Sequence, residues 1–466
     1  MNARISSTWG NRNRIVSGFL RLFIIGLLAA MPLTSLHAQT VGYVQGFGSI
    51  SVLNIPANTT AATIPAGPPQ LLILAVQIIA SPDGTRVYAL YEGSVGFPAS
   101  VLVIDPITNT PITTIINVGV APLGLAITPD GKTLYIADQL HAVIIVDTAT
   151  NTITGSIPVG TGFPNSAVVT PDGKRLYVGL AGASAVAVID TTTNTVVGSP
   201  ISIGTTPFRL AVTPDGTQLY VAGSTKTVAI STATNTVTAS IPFDGIDFRL
   251  AITPDGSQVY VSGLTGGSVG VISTATNTLI ATIPVGSLPT GIAVTPDGSD
   301  VYVTLRSNST ASVIDTSTNT VIASGIPVAG GPQDMTIFNP TAPFAAFTID
   351  NLNISPQGFH EQGDFTLGPN STGIDLGHQP VTLTIGSFSL TIPAGSFRQV
   401  GGNMHFVFNG TVNGLQVNFN LKANGKSSTD FTYVVNVNGV DLTGEPNPAT
   451  VGLKIGENTG TTTAPF

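Results

Sequence analysis

Arg209 and Arg249 lie 40 residues apart, each directly preceded by a phenylalanine, Phe208 and Phe248, with Asp244 and Asp247 just before the second pair. Two guanidinium groups brought to one place can hold an anionic or sugar-like ligand through paired charge-assisted hydrogen bonds, and phenyl rings beside them supply apolar walls. The same residues admit another reading, in which the arginines pair with these aspartates and with Asp334 and hold neighbouring units in register. Other groupings offer less chemistry. His141 and Asp138 fall short of the three or more ligands a metal needs, and read as loop residues. His360, Glu361, Asp364, Asp375 and His378 are metal-binding types, but their spacing matches no ligand pattern and they read as a solvated loop. The chain has no Cys, which removes thiolate nucleophiles, thiolate-bound metals and disulfides. A single His between residues 39 and 345 leaves haem and copper chemistry without ligands. No catalytic group is assigned, and neither a cofactor nor a metal is expected.

The arginines recur in phase because the chain repeats. Leu125 to Gly160 is one copy, and Pro-Asp-Gly turns at Pro82, Pro129, Pro171, Pro214, Pro254 and Pro296 mark six copies, spaced 47, 42, 43, 40 and 42 residues apart. Such a period points to stacked supersecondary units. Within a copy the apolar residues alternate with period two. Pro presets φ, Asp bonds backbone amides and Gly accepts a left-handed conformation, so the turn closes a hairpin; a Thr-x-x-Asn turn closes another. Each copy reads as a four-stranded antiparallel meander without a helix.

The repeated Tyr occurs seven times, at Tyr43, Tyr88, Tyr135, Tyr177, Tyr220, Tyr260 and Tyr302, one more than the turns. The extra copy is split: residues 41–64 lack a first strand and residues 332–340 supply one. Pairing the two halves closes a ring of seven blades and removes the faces an open stack would expose. The loops from fourth to first strand vary most between copies, and loop variation on a rigid scaffold is where binding lives, so that face is the working face. Phe163 stands in one of those loops. One axial position can be followed round the ring through Gln77, Gly124, Ser166, Arg209, Arg249, Gly291 and Asp334. Most acids recur with the turns, as Asp130, Asp172, Asp215, Asp255 and Asp297, or at strand ends; recurrence assigns them to structure.

Pro171 to Val178, Val186 to Thr195, Tyr302 to Val303 and Val313 to Thr320 together carry a Pro-Asp-Gly turn, a Leu-Tyr-Val strand and a Val-Ile-Asp-Thr-x-Thr-Asn-Thr run. In these features the chain resembles the YVTN β-propeller repeat over about residues 41–340. The resemblance implies a seven-bladed propeller and a secreted or cell-surface protein without assigned chemistry; fold alone does not carry activity.

Residues 1–38 read as a signal peptide, with Arg4, Arg12, Arg14 and Arg21 before an apolar stretch that Pro32, Thr34, Ser35 and His37 keep short of a bilayer span. The expected location is exported: periplasmic, cell-surface or extracellular, with no transmembrane anchor in the mature chain. Removing the leader moves the formal net charge from −8 to −12, with 24 acids against 12 bases, which disfavours nucleic acid as a partner. The propeller is expected over residues 39–345. From 346 to 466 the repeat marks vanish, and Asn-Gly pairs at Asn409, Asn413, Asn424 and Asn438 among alternating runs predict hairpins of an antiparallel β-sandwich-like domain.

These readings converge on an exported, non-enzymatic binding or surface-display protein, whose propeller loops contact a protein or glycan of the envelope or extracellular matrix through Phe163, Phe208, Phe248, Arg209, Arg249 and Asp247. A propeller hydrolase or lactonase with an axial site, and a self-assembling structural envelope protein, are the alternatives.

Overall fold

A computed structural model describes residues 40–466 apart from 66–73, 94–97, 141, 244–245, 344–345, 368–373, 375, 377–378, 401–403, 425–428 and 457. The expected signal peptide, residues 1–38, and His141 therefore lie outside the described residues. The chain folds into a seven-bladed β-propeller followed by an antiparallel β-sandwich. Blade 1 comprises Leu74–Ala80, Val87–Glu92, Ser100–Asp105 and Thr110–Ile116, and blades 2 to 6 follow in chain order. Blade 7 is made from both ends of the repeat region: Asp334–Phe338 pairs with Val41–Gln45, which continues into Ser49–Asn54 and Thr59–Pro65. Blade 3 departs from the simple meander. Its fourth strand is split into Thr195–Val196 and Ile201–Ser202, because Gly198 at φ +68° and Pro200 interrupt the ladder between them.

Burial grades from the axis outwards. Second strands are buried on both faces, as in Leu176 to Leu180, since adjacent blades cover each side, while fourth strands such as Thr278–Pro284 expose most of their residues. Seven apolar clusters result, one at each blade-to-blade interface; Tyr220, Ala222 and Ala229 of blade 4 meet Leu250, Val259 and Val261 of blade 5 in one of them. The repeated Tyr is the polar stitch of this interface. In six of the seven copies its hydroxyl donates to the Asn that ends the third-to-fourth-strand turn of the next blade, from Tyr260 to Asn319 at 2.7 Å and, across the closure, from Tyr302 to Asn58 at 2.7 Å and from Tyr43 to Asn109, whereas the Asn151 Oδ1 that would serve Tyr88 has no partner. Each such Asn also sits at positive φ, 54° at Asn319, which Asn tolerates better than other side chains. Asn319→Gly should therefore cost about 1 kcal/mol from the lost acceptor, and Asn319→Ala about 1 kcal/mol more from the left-handed backbone. Equal urea midpoints for the two variants would refute the conformational half of this account.

The Pro-Asp-Gly turns account for six of the acids. Thr170 Oγ1 donates to Asp172 Oδ1 at 2.6 Å and the Lys174 amide to the same oxygen at 3.1 Å, a pattern repeated at Asp215, Asp255 and Asp297. The hydrogen bond from the Thr two positions earlier is the main reason these carboxylates lie below their ordinary range.

Ala342–Pro343 already belongs to the second domain, pairing in parallel with Asn458–Ala464. That five-stranded sheet continues through Ala449–Ile455 and Val381–Ile385 to Phe388–Ile392. The facing six-stranded sheet runs Ala346–Ser355, Gly358–Thr366, Asp430–Asn438, Leu415–Ala423, His405–Val412 and Arg398–Gln399. Phe365, Phe419 and Tyr433 of one sheet and Leu383, Leu390 and Leu453 of the other form one core. Only one of the four Asn-Gly pairs is seen as a tight hairpin turn, Asn413-Gly414, with φ of 51° and 84°. Asn409 and Gly410 stay inside a strand, opposite Asn418 and Val417, with the Phe408 ring lying over the glycine. Asn438-Gly439 instead ends a strand whose chain then crosses to the other sheet, and Gly425 lies outside the described residues.

The loop reading of His360 to Asp364 is also corrected. These residues form the middle of Gly358–Thr366, where period-two alternation places Phe359, Glu361, Gly363 and Phe365 inward. Glu361 is fully buried, accepts a hydrogen bond from the Tyr433 hydroxyl, and leaves Oε2 without a partner. Asp375 and His378 lie outside the described residues. Asp138 is likewise no loop residue: it ends Thr133–Asp138, is buried, and accepts the Val120 and Ala121 amides at 3.2 and 2.8 Å.

Candidate functional site

The first strand of each blade lines the axis, and one rung of these seven strands holds the expected set. Gln77 faces Leu90 of its second strand, Gly124 faces Ala137, Ser166 faces Gly179, Arg209 faces Ala222, Arg249 faces Ser262 and Asp334 faces Gln45. Gly291 completes the rung, its amide donating to Thr304 Oγ1 at 2.8 Å. Glycine is required where inner strands come closest: a Cβ on Gly124 would stand 2.7 Å from the Ser166 Cα, and one on Gly291 2.9 Å from that of Asp334.

Just before this rung the register slips by one residue, between Pro207 and Arg209 in blade 4 and between Asp247 and Arg249 in blade 5. Such a bulge gives two successive residues access to the axial side. The arginines enter the channel, while Phe208 and Phe248 stand at its mouth with ring centroids 6.1 Å apart.

Within the channel Arg209 Nη2 lies 2.5 Å from Asp334 Oδ2, and Arg249 Nε lies 3.6 Å from Asp334 Oδ1. All three side chains are less than a tenth exposed. Arg249 Nη2 also donates to the Val76 carbonyl at 2.8 Å, and the Ile78 amide to Asp334 Oδ2 at 3.4 Å, tying blade 1 to the same group. The pairing therefore crosses the ring from blades 4 and 5 to blade 7. It does not join neighbouring blades, because the closing strand contributes the acid. Two guanidinium groups share one carboxylate, and Arg209 Nη1 and Arg249 Nε are left without hydrogen-bond partners. Burial, then the like charge of Arg209, pushes the Arg249 pKa down to about 9 against the opposing pull of Asp334, which keeps it cationic at neutral pH.

Above this charged floor opens a cavity of about 270 Å³ to which every blade contributes. Val76, Leu123, Asn165, Phe208, Phe248 and Gln333, each one residue before the charged rung, form its wall, and Phe47 and Arg306 from second-to-third-strand loops, with Glu92 at the end of a second strand, form its rim. Arg249 lies over the Phe248 ring at 4.7 Å, and Arg306 over Phe47 at 5.3 Å. Asn165 is fixed by donating to the Pro207 carbonyl at 2.6 Å.

The structure thus brings Arg209, Arg249, Phe208 and Phe248 together. Phe163 is not part of the cavity lining; it is 47% exposed and packs over Gly182 of its own blade. Asp247 opens a described strand, but its side chain and the whole of Asp244 lie outside the described residues. Phe47, Glu92, Arg306 and Gln333 were missed in the sequence reading. The signal for Arg306 and Phe47 was their place on the variable face, in loops that the turn-based alignment did not superpose.

No family model matches the chain, and no curated protein matches it. Solved structures do. A functionally unknown protein from Desulfotomaculum acetoxidans is 18% identical, over 64% of this chain and 99% of its own, with a TM-score of 0.55. A protein from Bacteroides uniformis, named as a candidate 6-phosphogluconolactonase, is 17% identical over 65% of this chain and 100% of its own, with a TM-score of 0.54. A β-propeller domain, Cps50 (Swd1) from Myceliophteria thermophila, is 13% identical over 58% of this chain and 91% of its own, at a TM-score of 0.49. At 17–18% identity the likeness to the first two is one of fold.

Proposed function

We propose that this chain is an exported, YVTN-type propeller protein that binds a protein or glycan of the envelope or extracellular matrix at the axial mouth of its variable face, without catalysis. The observation that carries the reading is the axial cavity itself, walled by two phenyl rings and floored by cationic side chains. Among the described residues its acids have other places: Asp334 is held by two arginines, and Glu92 is on the rim. The apolar blade interfaces hold the mouth rigid, so a ligand meets a preformed surface.

Glycan and peptide arrays probed with the full chain test this. A ligand that the Phe208→Ala, Phe248→Ala double variant binds about tenfold more weakly, and that Lys132→Ala on the opposite face binds as the parent does, supports the site. Ligands indifferent to the Phe variants would remove binding from the axial mouth. Turnover of lactone substrates by the full chain would overturn the non-enzymatic reading.

A further inference from the structure

We infer that the group recognised at the axial mouth is a carboxylate on an apolar body, such as an aryl or branched-alkyl carboxylate, presented as a free acid or as the C-terminal residue of a peptide. This rests on the binding reading above and narrows it to one chemistry. The first argument is charge. Among the described residues of the cavity and its floor, Arg209, Arg249 and Arg306 stand against Asp334 and Glu92, and the buried pair of guanidiniums shares a single carboxylate. A cation held away from water without full compensation attracts an anion that can reach it. Arg249 both lines the cavity and keeps an Nε that makes no hydrogen bond, its nearest acid oxygen being Asp334 Oδ1 at 3.6 Å, so an arriving carboxylate finds a desolvated and incompletely satisfied cation.

The second argument is the wall. Phe47, Phe208, Phe248, Val76 and Leu123 supply a surface that rewards burial of an apolar body. The polar side chains there are partly committed: Asn165 bonds the Pro207 carbonyl, and Gln333 Nε2 donates to the Gly331 carbonyl at 3.1 Å. A sugar ring would bury several hydroxyls against phenyl faces with few free partners, which is unfavourable. At about 270 Å³ the cavity is at the small end of ligand sites, suited to one residue-sized group.

Isothermal titration of the full chain with phenylacetate, phenylacetamide, galacturonate, and a peptide ending in Phe as its free acid and as its amide tests the inference. The acids should bind about tenfold or more tightly than the matching amides, and Arg306→Gln, an exposed change that leaves the buried pair intact, should weaken the acids about fivefold while leaving the amides unmoved. Preference for phenylacetate would identify a free acid as the source, and preference for the peptide acid a chain terminus. Equal affinity for acid and amide, or galacturonate bound while phenylacetate is not, overturns the carboxylate-on-apolar-body inference. If every probe fails but an array ligand is lost with the Phe208 and Phe248 variants, the inference falls and the binding reading stands. If array binding is also indifferent to those variants, both fall.

Discussion

Replacing Asp334 by alanine is expected to lower the stability of the propeller by about 3–5 kcal/mol, because it leaves two buried guanidinium groups facing each other with no counter-charge. The magnitude follows from burial. An exposed ion pair is worth at most about 1 kcal/mol, but here all three side chains are less than a tenth exposed and the acid also touches the Ile78 amide. Urea unfolding can follow the loss, because the only Trp is Trp9 and eight of the nine tyrosines lie from Tyr43 to Tyr302. A triple variant, Asp334→Leu with Arg209→Met and Arg249→Met, should recover most of the loss, since apolar groups of similar volume commonly replace a buried ionic cluster at no cost. If it also no longer binds carboxylates, the charges are retained for the ligand. A loss below about 1 kcal/mol in Asp334→Ala would mean that water reaches the channel floor and that the cluster is not buried in solution.

Glu361→Gln should stabilise the second domain at pH 8 by about 4 kcal/mol and have little effect at pH 4. Burial, partly offset by the Tyr433 hydroxyl, pushes the Glu361 pKa up to about 8 from an ordinary value near 4.5. In the folded domain the group therefore stays protonated up to about pH 8, whereas in the unfolded chain it ionises near 4.5. Its contribution is fully present below about pH 4.5 and is lost as pH rises through about 8, at up to about 1.4 kcal/mol per pH unit. Glutamine has the same shape and no charge, so the variant should lose this slope. Tyr433 is the only Tyr beyond Tyr302 and contacts the group directly, which makes it the reporter. Parallel pH profiles for parent and variant would show that Glu361 is solvated in the native state.

The turn acids of the propeller act in the opposite sense. Asp172, Asp215, Asp255 and Asp297 are held below their ordinary values, so their contribution is present above about pH 4 and lost in more acid solution.

The propeller was legible in the sequence because its turns are chemically obligatory. Gly at a left-handed position, Asp accepting a hydroxyl and an amide, and Asn at positive φ cannot be exchanged freely, so they recur and mark the register. The axial rung could be followed through Asp334 for the same reason. What could not be read was the depth of the arginines: the bulge that carries Arg209 into the channel leaves no mark in a count of turns. The rim residues Phe47 and Arg306 come from loops whose lengths differ between copies, where a periodic pattern loses phase, and Glu92 ends the strand that leads into such a loop. Glu361 was misread for another reason. Its acidic neighbours suggested solvent, although Phe359 and Phe365, two and four places away on the same strand face, already placed it inward.

The closing blade also sets an order of assembly. Thr40 Oγ1 donates to Asn339 at 2.7 Å although the two are 299 positions apart, and Val41–Gln45 has no inner neighbour until Asp334–Phe338 is in place. In a chain that emerges N-terminus first, the first-made strands must wait with an open edge while six blades form, and the last strand then brings both their backbone partner and the acid that neutralises the channel. Asp334 thus marks completion: a chain stopped before it carries an unsealed ring and two uncompensated arginines, a species exposed to aggregation and proteolysis.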